Sequence, residues 1–577
     1  GTGEVVQIGF GKTDSIARGI ASNVGTFTAM FTIDAQRYAT TTIMAAGIIT
    51  QHTANNTFYI LPEVISVTPV SGTVGTMVSV ECSGYGINEA IRIDFGKTVS
   101  IVIGQTSENG TMAVMFTVDT QAYGTTSITA ASVISRDQAG LPVTQYNRFK
   151  ITTAIYITPI EGTVGTYVVV DGDGYGADED VRIDFGTTLS IGSAHTSMDG
   201  TFTTTFMSNP QRAGMSIVTA TGLNTQHPYM RFFGVSAKIS QITPIRGTVG
   251  TVVTVIGDGF GGEEMVRIDF GSTQTITQIS ATLAGTFSIG FTVNTQGFGT
   301  TTITAYGLES NQHPSKVFKI ESEIVSVTPV SGTVGSVVTI SCTGYGSGET
   351  VRIAFGINSS IQTVVAGQYG SWTTSWTIDT QAYGNTTITA IGAGVATNVF
   401  SIQPQIVSVV PAAGSVGTIV TIYSTGYAAG ETVNIAFGTN ATIQTAAAGQ
   451  YGSFTTSWTV DVQAFGTTTI TASGAGVATN VFSIQPQVVS VVPTAGSVGT
   501  IVTIYSTGYA ASETVNIAFG TNANIQQAVA GEYGSWTTSW TIDAQKYGTT
   551  TITAGGVNVA KNVFNIQPHV VSIIPTQ

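Results

Sequence analysis

The stretch Gln487-Val488-Val489-Ser490-Val491-Val492-Pro493-Thr494-Ala495-Gly496-Ser497-Val498-Gly499-Thr500-Ile501-Val502-Thr503-Ile504-Tyr505 decides the fold. Val488 to Val492 is a short apolar run that stops at Pro493, which has no N–H to continue a ladder. Ala495 to Gly499 reads as a turn, and Ile501 to Tyr505 has the period-2 pattern of a half-buried strand. Working outward, Gly508 to Ala511 turns again, and Val515, Ile517 and Phe519 alternate with Asn516 and Ala518. Gly531 to Gly534 is another turn. Trp536, Thr538 and Trp540 then share one strand face, with Thr537 and Ser539 opposite. Thr549 to Thr553 and Val563 to Ile566 close the unit. About seven strands with frequent turn signals predict a two-sheet sandwich.

The unit recurs along the chain. A Pro ahead of a Gly-rich phrase stands at Pro69, Pro159, Pro244, Pro329, Pro411, Pro493 and Pro575, spaced by 90, 85, 85, 82, 82 and 82 residues. Phe-Gly recurs from Phe10 to Phe519. Self-similarity at a fixed period marks a repeat architecture. The fold class expected is all-β, tandem immunoglobulin-like β-sandwich modules in a linear rod. The expected modules are 64–153, 154–238, 239–322, 323–405, 406–487 and 488–569, after an incomplete module at 1–63 whose first two strands are missing. A lone first strand follows at 570–577. Junctions such as Ile484-Gln485-Pro486-Gln487-Val488 are short and carry proline, so the linkers are stiff. The rod expected is about 250 Å long, at ~3.3 Å per strand residue. Tyr547 stands at a strand-to-strand corner, where sandwiches often place a tyrosine. Phe298 and Phe465 fill that place elsewhere, so ring packing is its expected role.

The phrase Val325-Ser326-Val327-Thr328-Pro329-Val330-Ser331-Gly332-Thr333-Val334-Gly335, then Val338-Thr339-Ile340 and Gly344-Tyr345-Gly346, resembles the IPT/TIG type of immunoglobulin-like domain. Gly370-Ser371-Trp372-Thr373-Thr374-Ser375-Trp376 and Thr386 to Ala390 are similar to the same repeats in bacterial and archaeal secreted proteins. The resemblance covers essentially the whole chain. It implies spacers and stalks of adhesins, surface layers and filaments, and it carries over no catalytic residue.

Composition agrees. Charged residues are 9% of the chain and the net charge of −13 is spread thinly, which excludes the concentrated basic face that nucleic acid requires. No apolar run is long enough to span a membrane as a helix. Cys82 and Cys342 occupy the same place in two different modules, so an ordinary intradomain disulfide is excluded; a small buried strand residue is expected, with an intermolecular bridge as the alternative.

The two ends of the chain do not close. Val5, Val6, Ile8 and Phe10 align with a strand of the later modules, with no counterpart of the earlier strands before them. Val570, Val571, Ile573, Ile574 and Pro575 form a first strand without a module. Two readings follow. The C-terminal strand of one subunit inserts into the N-terminal module of another, in donor-strand complementation that builds a filament. Alternatively, the sequence is an excerpt of a longer repeat protein. The first reading must explain how one strand replaces two.

Candidate sites are few. His52, His227 and His313 occupy matching loop positions in three modules, too dispersed for a zinc site. The acidic stretch Asp171, Asp173, Asp178, Glu179, Asp180 and Asp184 supplies weak calcium candidates in Asp171, Asp173, Asp178 and Asp180, with a solvated acidic face as the plainer reading. Trp372, Trp376, Trp458, Trp536 and Trp540 alternate with Thr and Ser, and Phe27, Phe31, Phe202, Phe206 and Phe454 fill the same places, which favours core packing over a sugar platform. No nucleophile, histidine and carboxylate set points to an enzyme. Asn55, Asn109, Asn358, Asn385 and Asn440 lie in glycosylation sequons. No cofactor is expected beyond that weak calcium candidacy. The expected protein is an extracellular, cell-surface structural subunit that associates with itself. The alternative is the stalk of a longer adhesin with a binding head outside this sequence.

Overall fold

β-Branched side chains pack well on a pleated surface and lose χ1 freedom in a helix, so a chain this rich in Val, Ile and Thr buries its apolar groups through strands. The computed structural model describes residues 1–136, 142–570 and 572–574, and every regular element among them is a strand. No helix of the structure is long and apolar enough to cross a membrane.

The last complete module shows the plan. Its smaller sheet orders Gln487–Val492, Ile501–Thr507 and Trp536–Thr541, with Ile501–Thr507 in the middle. Its larger sheet orders Ala495–Gly496, Val559–Ile566, Gly548–Gly555, Thr514–Phe519 and Asn522–Val529. Every pairing is antiparallel except Ala495–Gly496, which runs parallel to Asn565 and Ile566. The inward faces meet in one core that contains Val502, Ile504, Tyr509, Val515, Ile517, Phe519, Trp536, Trp540, Ile552 and Phe564. Each such side chain contributes roughly 1.5–3 kcal/mol on burial. The Phe519 ring meets Trp540 at 5.5 Å and Phe564 at 5.7 Å.

Two elements escape the sequence reading. Asn522–Val529 is an eight-residue edge strand of polar composition, in which Ala528 is buried and Ile525 partly so. An edge strand has one paired side and little core to serve, so its apolar period is faint. Ala495–Gly496 reads as a turn yet pairs with the last strand.

The chain divides into two compact units, Gly1–Thr243 with Val253–Phe291 and Thr302–Lys316, and Pro244–Val252 with Thr292–Thr301 and Val317–Gln577. Each unit repeats the same pairs of three- and five-stranded sheets. The chain is thus a tandem series of immunoglobulin-like β-sandwiches. The first module differs. It has a single four-stranded sheet ordered Thr13–Ile20, Val5–Phe10, Ala39–Gly47 and Thr53–Ile60. Phe27 to Thr32, which corresponds to Trp536–Thr541, carries no strand pairing. Phe31 still packs on Phe10, with ring centres 5.6 Å apart.

The corner tyrosine is corrected by the structure. Tyr547 is 72% exposed and fills no core. The buried staple is Tyr509, whose hydroxyl donates to the Ala554 carbonyl at 3.0 Å. Tyr85, Tyr175, Tyr345 and Tyr427 make the same bond to Ala130, Ala220, Ala390 and Ala472. Phe260 fills this place in the fourth module without a hydroxyl.

Candidate assembly surfaces and the joint between modules

The buried staple ring sits at the corner between the second long strand and Thr514–Phe519 or its equivalents. Its own carbonyl faces the preceding module. In the first unit, the N–H of Tyr38 donates to Tyr85 O at 2.8 Å, that of Tyr123 to Tyr175 O at 2.7 Å and that of Ala213 to Phe260 O at 2.8 Å. In the second, Phe298 N–H reaches Tyr345 O at 3.0 Å, Tyr383 reaches Tyr427 O at 3.0 Å and Phe465 reaches Tyr509 O at 2.9 Å. The place read as a packing corner is therefore a main-chain donor to the next module.

Glycine makes this approach possible. Gly110, Gly200 and Gly285 have φ of +70°, +73° and +73°, which L side chains rarely adopt. A Cβ on any of them would run into the staple carbonyl of its own module. It would also lie 3.0, 2.9 and 3.0 Å from the Cα of Arg37, Ala122 and Arg212 in the preceding module. Lysine side chains add to two joints. Lys12 Nζ lies 3.0 Å from Glu108 O and 3.4 Å from Asn109 Oδ1, and Lys97 Nζ lies 3.3 Å from Met198 O and 2.6 Å from Asp199 Oδ1. Tyr123 also stacks on His227 at 4.2 Å and its hydroxyl bonds to Nε2.

A carboxylate four residues after the staple ring holds this corner, and sequence reasoning missed it. Glu179 accepts N–H groups from Gly176 at 2.6 Å, Asn224 at 3.1 Å and Thr225 at 3.0 Å. Glu264 accepts from Gly261, from Glu309 at 3.0 Å and from Ser310 at 2.8 Å. Glu4, Glu89, Glu349, Glu431 and Glu513 occupy the same place. Burial alone pushes the Glu264 pKa up. The bonds from the Ser310 hydroxyl and from the Ser310, Gly261 and Glu309 main chain outweigh it, and the net shift is downward. A buried charge is tolerated here because N–H donors saturate it. The signal available in sequence was Glu at a constant offset from the Gly-Tyr or Gly-Phe pair.

The calcium candidates are separated by the sandwich itself. Asp171 and Asp173 lie on Tyr167–Asp173 of the smaller sheet, and Asp180 begins Asp180–Phe185 of the larger. Asp171 accepts from the Thr203 hydroxyl at 2.7 Å. Asp178 and Asp180 bracket His195 at 2.9 and 2.8 Å, and their hydrogen bonds raise its pKa. Asp184 pairs with Arg182. Among the described residues, no group of three or more His, Cys, Asp or Glu side chains is arranged to hold a metal ion.

Of the assembly residues, Val570, Ile573 and Ile574 are 71%, 84% and 82% exposed, while Val571 and Pro575 lie outside the described residues. Val5, Val6, Ile8 and Phe10 lie on a strand bonded on both sides, to Thr13–Ile20 and to Ala39–Gly47. They offer an inner face and no free edge. In complete modules the strand beside Trp536–Thr541 is the second long one, and the first strand never touches it.

The tryptophans pack inside. Trp372, Trp458, Trp536 and Trp540 are buried and Trp376 is half-buried. Their indole N–H groups meet no acceptor among the described residues. Cys82 and Cys342 are buried free thiols whose pKa burial pushes up to about 12. Asn55, Asn109, Asn385 and Asn440 are exposed and Asn358 is half-buried. Asn358 and Asn440 donate their amides to Asp379 and Asp461. His52 and His313 stand apart, the first bonded to Thr50 O at 3.0 Å and the second near the Tyr306 ring at 5.9 Å.

No protein-family model and no curated protein matches the chain. Among solved structures it is similar to invasin, described as a bacterial integrin-binding protein, at 13% identity over 61% of this chain and 82% of that one, with a TM-score of 0.18. It is similar to the ICAM-5 D1–D4 ectodomain fragment at 14% identity over 60% and 98%, with a TM-score of 0.17. Trypsin-activated alpha-2-macroglobulin from Escherichia coli is 10% identical over 98% of this chain, which spans 54% of that chain's length, with a TM-score of 0.14. Nothing is built on scores of this size, and the immunoglobulin-like assignment rests on the sheets described above.

Proposed function

We propose that the chain is a structural shaft of an extracellular filament, stalk or surface layer, built from IPT/TIG-like repeats. The observation that carries this reading is the joint itself. Six successive modules present the same carbonyl, on the same stapled corner, to the module before. A main-chain bond repeated in this way, with glycine clearing the contact, supports a series in which each module is set against its neighbour. The sparse charge and abundant hydroxyls suit a durable outer structure.

Strand exchange between copies is the finer form of this proposal. It is supported by the exposed Val570, Ile573 and Ile574 and by the half-buried Ile43 and Ala45 of the first sheet, whose counterparts Ile552 and Ala554 are fully buried. The donor would take the second strand's place beside Phe27 to Thr32. The second reading is the stalk of a longer adhesin whose head lies outside this sequence.

Electron microscopy of native material at a resolution that separates modules tests both. Filaments with Val570–Pro575 of one chain laid against residues 27–32 of another support exchange. Single shafts with a different domain at one end support the stalk. Free modules that change direction independently at each joint overturn the structural reading.

A further inference from the structure

Asn109-Gly110 is the one Asn-Gly dipeptide in the chain. It lies on the turn from Ser107 to Gly110, exposed at Asn109 and buried at Gly110, against the first joint. We propose that Asn109 is a site of spontaneous deamidation, and that its aspartate product gives the first joint the ion pair already present at the second.

The comparison of the two joints carries the argument. Lys12 Nζ lies 3.4 Å from Asn109 Oδ1 and 3.0 Å from Glu108 O. In the matching place, Lys97 Nζ lies 2.6 Å from Asp199 Oδ1 and 3.3 Å from Met198 O. The lysine and its geometry are shared, and the side chain it meets is an amide in one case and a carboxylate in the other.

The reaction needs only water. The Gly110 main-chain nitrogen attacks Cγ of Asn109, and a new C–N bond closes the ring. The bond from Cγ to Nδ2 breaks, and Nδ2 leaves as ammonia with the proton from the Gly110 amide. Water then opens the succinimide at either carbonyl and yields aspartate or isoaspartate. Glycine lacks the Cβ that would crowd this attack. The ammonium of Lys12 beside Oδ1 stabilises the negative charge that develops there. One feature of the fold opposes it: the Gly110 N–H donates to Ser107 O at 3.0 Å, so the turn must open first.

The two products act differently on the joint. Aspartate keeps the length of the main chain and gains the pair with Lys12. Isoaspartate adds a methylene to the main chain directly before Gly110, which already lies against Tyr85 O and beside Arg37 Cα. That product forces the joint apart.

The full-length chain, folded and incubated at mildly alkaline pH, is mapped by mass spectrometry over time. Asn109 is expected to lose ammonia and gain water ahead of every other asparagine, including Asn358, which precedes Ser359 and has its amide held by Asp379. Lys12→Ala is expected to slow this severalfold without unfolding the chain. Turnover of Asn358 ahead of Asn109, or turnover of Asn109 in urea alone, overturns the proposal. Asn109→Asp, made directly, is expected to protect the Tyr38 amide from hydrogen exchange at least as well as the parent. Loss of that protection overturns the second half of the proposal.

Discussion

The N–H of Tyr123 donates to the carbonyl of Tyr175 in the following module at 2.7 Å, and the hydroxyl of the same Tyr175 donates to Ala220 O at 3.2 Å. One residue thus ties the joint to the middle of the next module's core.

Tyr509→Phe removes the staple hydroxyl and its hydrogen bond to the Ala554 carbonyl, which lies on a strand paired on both sides. The expected cost is about 1–3 kcal/mol. Phe260 in the fourth module indicates that the fold survives. Hydrogen exchange across Gly548–Gly555 should accelerate, with modules four and five unchanged. Unaltered exchange there would show that the hydroxyl contributes nothing.

Glu264→Gln probes the carboxylate that holds the corner. The folded pKa of Glu264 lies below its ordinary value, so its contribution is fully present above the unfolded value of about 4.3. It is lost as pH falls through the folded pKa. At neutral pH the variant should expose the Glu309 and Ser310 amides to exchange faster than the parent. The difference should shrink below about pH 4. A difference that persists unchanged in acid would rule out the charge as its source.

Trp540→Phe should cost less than about 1.5 kcal/mol, because the ring is replaced by one that other modules already use and the indole N–H has no partner to lose. Trp540→Ala should cost roughly 3–5 kcal/mol through the cavity it leaves. Chemical unfolding of the two variants in parallel measures the gap. Equal losses would mean that the N–H, and not the ring, carries the site.

Lys97→Ala and Gly200→Ala separate the two parts of the second joint. The Lys97–Asp199 pair is exposed at both ends, 60% and 55%, so its loss should cost at most about 1 kcal/mol and leave the Tyr123 amide protected. Gly200→Ala forces a side chain into a positive φ and against Tyr175 O, and should unprotect that amide. The reverse order of effects would place the joint in the ion pair.

The sandwich was legible because its code is local. Trp536, Thr538 and Trp540 alternate with Thr537 and Ser539, and a period of two needs no knowledge of the partner strand. The Phe residues that replace tryptophan elsewhere pointed to the core in the same way. Asn522–Val529 was illegible because an edge strand buries little. Tyr547 was misplaced because its neighbours in sequence match a corner, while the staple ring belongs to a different one.

The sequence by itself determined the repeat, the strands with strong apolar period and the inward faces, since each follows from steric preference within a few residues. Only the tertiary structure decided what the glutamates and staple rings do. Glu264 meets Ser310 across 46 positions of chain, and that meeting depends on the pairing of Met265–Phe270 with Gly299–Gly307 in one sheet. Whether a carboxylate is solvated or saturated by N–H groups is settled by that long-range pairing, and the constant offset from the Gly-Tyr or Gly-Phe pair marks the position without naming its partners.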